Sequence, residues 1–163
     1  ESVSATVRTQ VSQWHESDTD RMVEVTAPDT ISVNGVLTGG AVASAQVVNV
    51  PYHGSGYRFE IYGKEGTLLV SSGGSPSTES AKLYGARGAS SVMEEIVISD
   101  RHTFVPDTVP DGPPFNIAQL WNRFATGIEN TEDVEPNFDT AVQRHRLLEA
   151  IQKASDTGRA QKL

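Results

Sequence analysis

The stretch YRFEIYGKEGTLLV, residues 57–70, decides the fold class of this protein. Its first six residues alternate between apolar and polar side chains, which is the period of a half-buried β-strand. The next four, GKEG, interrupt the alternation, and an apolar run follows. Glycines at both ends of a short interruption between strands favour a tight hairpin turn. We therefore predict a hairpin with Gly63 and Gly66 as structural turn residues, at least one of them at positive φ.

Strand patterns continue on both sides of this hairpin. The polar residues 15–21 are predicted to form a loop. Residues 106–114, which include four prolines, are predicted to form an extended connector. A short strand or docked tail is expected at the C-terminal end, 160–163. Further strands are predicted at residues 3–11, 29–37, 41–50, 81–86 and 92–99.

The last third of the chain has the 3.6-residue period of amphipathic helices. A second helix is predicted to begin after Asn137 as N-cap and to end at Gly158 as C-cap. Strands grouped before helices predict an α+β fold, with one large, mostly antiparallel open β-sheet and two C-terminal helices packed on one face. Trp121, in the first helix, is predicted to pack in the core. The apolar stripe of that helix consists of Ile117, Leu120, Trp121, Phe124 and Ile128.

Composition limits the class of protein. The 163 residues are predicted to form a single domain, 1–163, which can bury a core without disulfides or metals. The net charge of −8 argues against binding to nucleic acid or to an anionic membrane surface, because phosphates attract basic patches. The chain has no cysteine, which excludes disulfides and thiolate metal sites. No apolar run is long enough to span a membrane, and a cytoplasmic location is the default expectation.

The sequence contains no complete catalytic or cofactor-binding motif. No glycine-rich loop lies between a strand and a helix, so no NAD or NADP site is predicted in this chain. The four histidines lack the spacing of metal ligands, so no metal site is predicted. Tyr52, His53 and Tyr57 surround a glycine turn at a predicted strand end and are our candidate substrate-binding residues. The alternative for His53 is an ordinary loop histidine.

Two stretches of the chain resemble the C-terminal domain of the glucose–fructose oxidoreductase, inositol dehydrogenase and MocA (Gfo/Idh/MocA) family. The first runs from TAPDT at 26–30 to the hairpin at 57–68, and the second from FDTA at 138–141 to Gly158. The order and spacing of these pieces carry the resemblance. It implies a glyceraldehyde-3-phosphate dehydrogenase-like C-terminal domain, which in the family follows an N-terminal Rossmann domain that binds NAD or NADP.

The resemblance implies a function for this chain as one part of a longer polypeptide. It would be the substrate-binding and oligomerisation domain of an NAD(P)-dependent oxidoreductase acting on a sugar, polyol or cyclitol. The family's catalytic residues have no counterpart here, so the fragment alone is not expected to be catalytic. The alternative is a stand-alone binding or assembly module that reuses the same sheet, and the missing motifs disfavour a complete small enzyme.

Three partners follow from the resemblance. They are the N-terminal Rossmann domain of the same polypeptide, a small carbohydrate-like substrate, and a second copy of the chain. We expect the homo-oligomer, most simply a dimer, to form through the open face of the sheet. That face would present the polar side chains Arg8, Gln10, Thr30, Ser32, Asn34, Arg58 and Glu60.

Overall fold

The computed structural model describes residues 2–49, 53–77 and 80–163. They fall into two compact units: the first comprises Glu1–His53 and Glu135–Leu163, and the second Gly54–Val134. A short 3₁₀ helix lies at Asp100–His102. The elements, in chain order, are β1 Ser2–Arg8, β2 Gln13–Glu16, β3 Arg21–Glu24, β4 Thr30–Val36, β5 Val42–Val48, β6 Tyr57–Tyr62, β7 Gly66–Ser72, β8 Lys82–Arg87, β9 Glu94–Glu95, α1 Pro113–Asn130, α2 Phe138–Thr157 and β10 Gln161–Lys162.

The first unit is a helix packed on a sheet. Its four strands pair antiparallel in the order β10-β1-β4-β5. Helix α2 packs on β1, where Val3 and Val7 lie on the covered face and are buried together with Ala154 of the helix. The Oγ of Ser155 accepts a hydrogen bond from the backbone N–H of Val7 at 2.8 Å. The core of this unit therefore lies between α2 and the apolar side of β1.

Both predicted caps of α2 are confirmed. The side chain of Asn137 accepts a hydrogen bond from the backbone N–H of Thr140 at 3.0 Å, which satisfies one of the unpaired N–H groups of the first turn. Gly158 ends the helix in the left-handed region, at φ 63°. The terminal strand is also confirmed, because β10 pairs with β1.

The predicted loop at 15–21 is confirmed only for the turn at residues 17–20, because β2 and β3 form a hairpin on either side of it. Its strands pair from Gln13 opposite Glu24 to Glu16 opposite Arg21. Nearly every side chain in it is exposed, so the alternation that marks a half-buried strand is missing from the sequence. The cross-strand pair of Trp14 with Val23 supplies its only half-buried contact among the described residues.

The second unit contains the predicted hairpin. Strands β6 and β7 pair antiparallel, and the sheet continues in the order β6-β7-β8-β9. The backbone N–H of Gly63 donates to the carbonyl of Gly66 at 2.8 Å and closes the turn. The expectation of a positive φ is wrong for both glycines. Gly66 is required for space instead, since a Cβ there would lie 2.3 Å from the carbonyl oxygen of Ala86.

Helix α1 begins earlier than predicted, at Pro113, inside the expected connector. Proline is favoured in the first turn of a helix, where its missing N–H costs no hydrogen bond. Trp121 is 65% exposed and meets Phe124 edge-to-face at 5.8 Å, so its predicted core position is wrong. The helix packs on no strand of its own unit, and no apolar side chain of that unit is buried among the described residues.

The α+β class and the antiparallel pairing of the strands are confirmed. Hydrogen bonds divide the described strands among two four-stranded sheets and the β2–β3 hairpin. The weak strand expected at 92–99 is reduced to Glu94–Glu95, which pairs with the middle of β8. Of the two helices, α2 covers a sheet face of its own unit and α1 does not.

Candidate functional site

The structure describes two of the three substrate-binding candidates from the sequence, and they belong to different units. Tyr52 lies outside the described residues. His53 is exposed and belongs to the first unit, whereas Tyr57 opens β6 in the second. The side chain of Tyr57 is 38% exposed, on the sheet face that also carries Phe59 and Ile61. Their role in binding substrate therefore stays a prediction.

The opposite face of the same sheet holds a pocket of about 220 Å³. Three strands form its floor, and residues 90–93, which follow β8, form one wall. All the lining residues belong to the second unit. They are Arg58, Glu60 and Tyr62 from β6, Thr67 and Leu69 from β7, Ala86 from β8, and Ser90, Ser91, Val92 and Met93 from the wall.

A hydrogen-bonded group of three side chains from β6 lines this pocket. Alternate residues of a strand point to the same face, so the pattern R-x-E-x-Y places all three side chains together. Glu60 is at the centre: its Oε1 accepts from the Nε of Arg58 and its Oε2 from the hydroxyl of Tyr62. The carboxyl side chain is 22% exposed, whereas the guanidinium side chain is 67% exposed. Glu60 is therefore the more buried member of this ion pair, and Arg58 reaches into solvent.

These contacts set the charge state of the pocket. The hydrogen bond from Tyr62, followed by that from Arg58, lowers the pKa of Glu60 below its ordinary value. The same bond to Glu60 raises the pKa of the Tyr62 hydroxyl. At neutral pH Glu60 is therefore ionised and Tyr62 protonated. Both shifts move the pKa away from neutral pH, where a general acid or base works best. The arrangement therefore favours binding over acid–base catalysis.

The signal for this group in the sequence is weak. Alternation places Arg58 and Glu60 on a polar sheet face, and the spacing of Tyr62 puts it on the same side. That face becomes a pocket because residues 90–93 form a wall beside it. There the hydroxyl of Ser90 donates to the carbonyl of Val92 at 2.9 Å. No periodic pattern in the sequence indicates where an irregular segment of this kind lies.

Asp29, in the TAPDT stretch, has a structural role. It is 5% exposed and accepts hydrogen bonds from the backbone N–H groups of Gln10 and Val11, at 2.8 and 2.7 Å from Oδ2. These bonds, with one from the hydroxyl of Thr30, lower the pKa of its carboxyl group. The side chain thereby ties the chain leaving β1 to the start of β4.

Metal and membrane sites were searched within the described ranges. Across residues 2–49, 53–77 and 80–163, no three His, Asp or Glu side chains converge as a metal-binding group. None of the helices in those ranges combines the length and hydropathy needed to cross a bilayer.

Comparison with known proteins gives a match over nearly the whole chain. The family model described as "Oxidoreductase family, C-terminal alpha/beta domain" matches residues 2–163. An uncharacterized oxidoreductase of Synechocystis sp. is 22% identical over 137 residues, which cover 84% of this chain and 37% of the relative.

Solved structures share the fold. Levoglucosan dehydrogenase, in complex with NADH and L-sorbose, aligns with a TM-score of 0.75 at 16% identity, covering 98% of this chain and 44% of its own. The super-repressor mutant of Gal80p from Saccharomyces cerevisiae aligns with a TM-score of 0.74 at 18% identity, covering 99% of this chain and 44% of its own. This chain thus spans less than half the length of each of these proteins.

Proposed function

The chain belongs to the Gfo/Idh/MocA oxidoreductase family, as its C-terminal alpha/beta domain, and from this premise we propose that it is the substrate-binding and oligomerisation domain of a longer, cytoplasmic oxidoreductase. The parent enzyme would transfer a hydride between NAD or NADP and a sugar, polyol or cyclitol. The observation that carries this proposal is a family match from residue 2 to residue 163 in a chain that covers only 37% of its relative. The NADH and L-sorbose bound to levoglucosan dehydrogenase support the cofactor and the substrate class.

The apolar stripe of α1 supports a cofactor domain as partner. Five large side chains along this helix, from Ile117 to Ile128, are each 48–65% exposed. Monomeric proteins rarely leave a contiguous apolar surface of this kind in water. The relatives contain more than half of their length beyond the part matched here. We therefore assign the stripe as the surface on which the N-terminal cofactor domain docks.

The open face of the first sheet is the proposed oligomer interface. The face opposite α2 carries rows of small polar side chains, with Ser4, Asn34 and Ser44 opposite one another across three strands. Such a face is flat and remains soluble when unpaired, and a two-fold axis would bury the same patch on both copies. In the second sheet, Arg58 and Glu60 line the pocket instead.

Sedimentation velocity at several protein and salt concentrations tests the oligomer. Because each copy carries a net charge of −8, association should strengthen as salt screens the repulsion. Asn34→Glu, in the middle of the polar rows, should shift the dimer to monomer. Ser17→Glu, in the exposed turn of the β2–β3 hairpin, is the matched control and should leave it unchanged. A wild-type chain that stays monomeric at about 100 μM and moderate salt would contradict the proposed interface.

The substrate contacts proposed from the sequence are Tyr52, His53 and Tyr57. In the complete polypeptide, His53→Ala should raise KM or lower kcat without unfolding the domain. His15→Ala, an exposed histidine of the β2–β3 hairpin, is the control. Kinetics that are unchanged in the first variant would remove His53 from the site.

The parent activity is tested with the polypeptide encoded by the complete reading frame that contains these residues. Purified and folded, it should reduce NAD or NADP in the presence of at least one member of a panel of sugars, polyols and cyclitols. The 163-residue chain alone should bind neither cofactor, since it offers no glycine loop at a helix N-terminus to a pyrophosphate. Low-micromolar cofactor binding by the isolated chain, measured by calorimetry, would overturn the division of roles proposed here.

A stand-alone binding or assembly module is the second candidate. It is favoured by the alignment with Gal80p, whose structure is described as that of a super-repressor mutant. A complete polypeptide that folds, associates and shows no cofactor-dependent turnover with any member of the panel would decide for this candidate.

A further inference from the structure

Strand β6 forms one edge of the second sheet, since β7 is its only strand partner among the described residues. Every residue of β6 except Glu60 is exposed, whereas every residue of β7 except Leu68 is half-buried. An exposed edge strand can accept a further strand, and proteins usually protect such edges with prolines, lysines or bulges. Residues 57–62 contain neither proline nor lysine, and their pairing with β7 is continuous. The edge of β6 is therefore open to another strand.

The hydrogen bonds of the hairpin show which backbone groups of β6 remain free. The N–H of Gly63 donates to the carbonyl of Gly66, so these residues form a hydrogen-bonded pair. In an antiparallel ladder such pairs alternate with pairs that exchange no bond. Counting back from Gly63, the odd-numbered residues of β6 therefore bond to β7. The even-numbered ones, Arg58, Glu60 and Tyr62, direct their N–H and C=O groups to the open edge.

The sequence of β6 is complementary to itself in one antiparallel register. Two residues can face each other across the edge only if both direct their backbone groups to it or both direct them away. A register with Phe59 opposite its own copy meets this condition and places Arg58 opposite Glu60. In the same register Tyr57 lies opposite Ile61. Unlike charges, paired aromatic rings and aromatic–β-branched pairs are the cross-strand neighbours that stabilise a sheet.

The neighbouring registers lose this complementarity. Moving one strand by two residues places Arg58 opposite Arg58 in one direction and Glu60 opposite Glu60 in the other. Like charges directly opposite each other destabilise a sheet. The other long edge strand, β5, has no charged side chain, so charge selects no register there. The charge pattern therefore makes a second copy of β6, in a single register, the occupant of this edge.

The charged side chains of β6 are available for such a contact. The guanidinium of Arg58 is mostly exposed, and only its Nε is bonded to Glu60, which leaves further N–H donors for a second carboxylate. In the pairing each Glu60 would lie between its own Arg58 and the Arg58 of the second copy. The second copy would thus add a charged side chain beside each pocket, because both residues line it.

We propose that two copies of this chain pair antiparallel through β6, with Phe59 opposite Phe59 and Arg58 opposite Glu60, and so join their second sheets into one. The contact is separate from the interface proposed on the first sheet, and neither requires the other. A single short strand buries far less than the about 1,200 Å² of stable interfaces, so we expect a Kd of about 0.1–1 mM.

Disulfide trapping tests the register. The chain has no cysteine, so every cross-link comes from the introduced residue. Phe59→Cys places two thiols in a non-hydrogen-bonded pair, where Cα atoms are about 4.5 Å apart, within the range of a disulfide. Ile61→Cys is the matched control: Phe59 and Ile61 are both 50% exposed on one face. Two copies of residue 61 would be about 13 Å apart, too far to cross-link.

With oxidised glutathione and about 100 μM protein, Phe59→Cys should form covalent dimers at least about ten-fold faster than Ile61→Cys. Asn34→Glu, which is expected to break the interface on the first sheet, should leave this rate unchanged. Equal rates for the two cysteine variants would overturn the proposed register. Equal urea midpoints show that the variants compared are folded.

A charge swap tests the contact between Arg58 and Glu60. In the Phe59→Cys background, Arg58→Glu should slow cross-linking about ten-fold, because both symmetry-related pairs become repulsive. Adding Glu60→Arg should restore the rate, since unlike charges again lie opposite each other. Lys64→Glu, in the exposed hairpin turn, makes the same change in net charge and should have little effect. Slow cross-linking by the folded double swap would contradict the pairing.

The unaltered chain gives a readout that depends on no variant. Amide hydrogen exchange, followed by NMR, should be about two- to three-fold slower at Arg58 and Glu60 in 1 mM protein than in 50 μM protein, because their N–H groups become bonded only in the dimer. The amide of Phe59, which bonds to β7 in either state, is the internal control. Exchange at Arg58 and Glu60 that does not depend on concentration would overturn the proposal.

Discussion

The two units of this chain are built from the same parts and bury them differently. Each has a four-stranded antiparallel sheet and one long amphipathic helix. In the first unit, α2 packs on β1, and Val3, Val7 and Ala154 are buried between them. In the second, α1 packs on no strand of its unit within the described residues, and its apolar stripe from Ile117 to Ile128 remains exposed. The more strongly amphipathic of the two helices is the less covered one.

This difference shows what amphipathicity does and does not determine. An apolar stripe stabilises a helix only when another surface covers it. For α2 that surface is the sheet of its own unit. For α1 no strand of its own unit supplies such a surface within the described residues, and the length of the relatives beyond the matched part makes a cofactor domain the occupant we propose.

The largest effect is expected where the second unit relies on strand pairing alone. Gly66→Ala places a Cβ 2.3 Å from the carbonyl oxygen of Ala86 on the neighbouring strand, so the backbone of β7 or β8 must shift. We expect a loss of about 3 kcal/mol in the free energy of unfolding, measured by urea denaturation. Gly39→Ala, where a Cβ meets no atom within 4 Å, is the control and should change stability by less than about 0.5 kcal/mol. Equal midpoints for the two variants would contradict the strand register.

A smaller effect separates the two helix surfaces directly. Val7→Ala removes two buried carbons beneath α2 and should cost about 2 kcal/mol. Ile117→Ala, at a residue of the α1 stripe that is 57% exposed, should cost less than about 0.5 kcal/mol in the isolated chain. It should also reduce the binding of a hydrophobic dye, which Val7→Ala should not. If Ile117→Ala proves as costly as Val7→Ala, the comparison between the two units fails.

The smallest expected effect is a loss of stability at acidic pH, and it arises from Asp29 in the first unit. The hydrogen bonds to Asp29 lower its pKa in the folded state below the ordinary 3.8. Their contribution is therefore fully present above about pH 4 and is lost as the pH falls through the lowered folded value. Urea midpoints of the wild type should fall between pH 5 and pH 2.5 more steeply than those of Asp29→Asn. Parallel slopes would show that Asp29 does not contribute in this way.

Much of the fold follows from periodicity and capping. The strand alternation around Tyr57, the N-cap at Asn137 and the C-cap at Gly158 all come from local chemistry, and the structure confirms each. The β2–β3 hairpin is not predicted because all its side chains except Trp14 and Val23 are exposed, and a single half-buried pair makes no alternating pattern. The exposure of Trp121 was missed because an apolar stripe does not specify the surface that covers it.

The candidate site was harder to predict than the fold. The side chains of Arg58, Glu60 and Tyr62 share a face by strand geometry, which the sequence indicates. Their enclosure depends on where residues 90–93 run after β8, and this is set by tertiary placement rather than by a local pattern. The same limit applies to Gly66, whose need for glycine arises from a neighbouring strand and not from its own φ.

Hydrogen exchange of the 163-residue chain, followed by mass spectrometry, tests the contrast between the units most directly. Peptides from α2 should exchange slowly, because opening that helix breaks its packing on β1. Peptides from α1 should exchange much faster, since its apolar stripe has no cover within its unit. In the complete polypeptide the proposed cofactor domain should slow the exchange of α1 and leave α2 unchanged. Protection of α1 equal to that of α2 in the isolated chain would contradict the account.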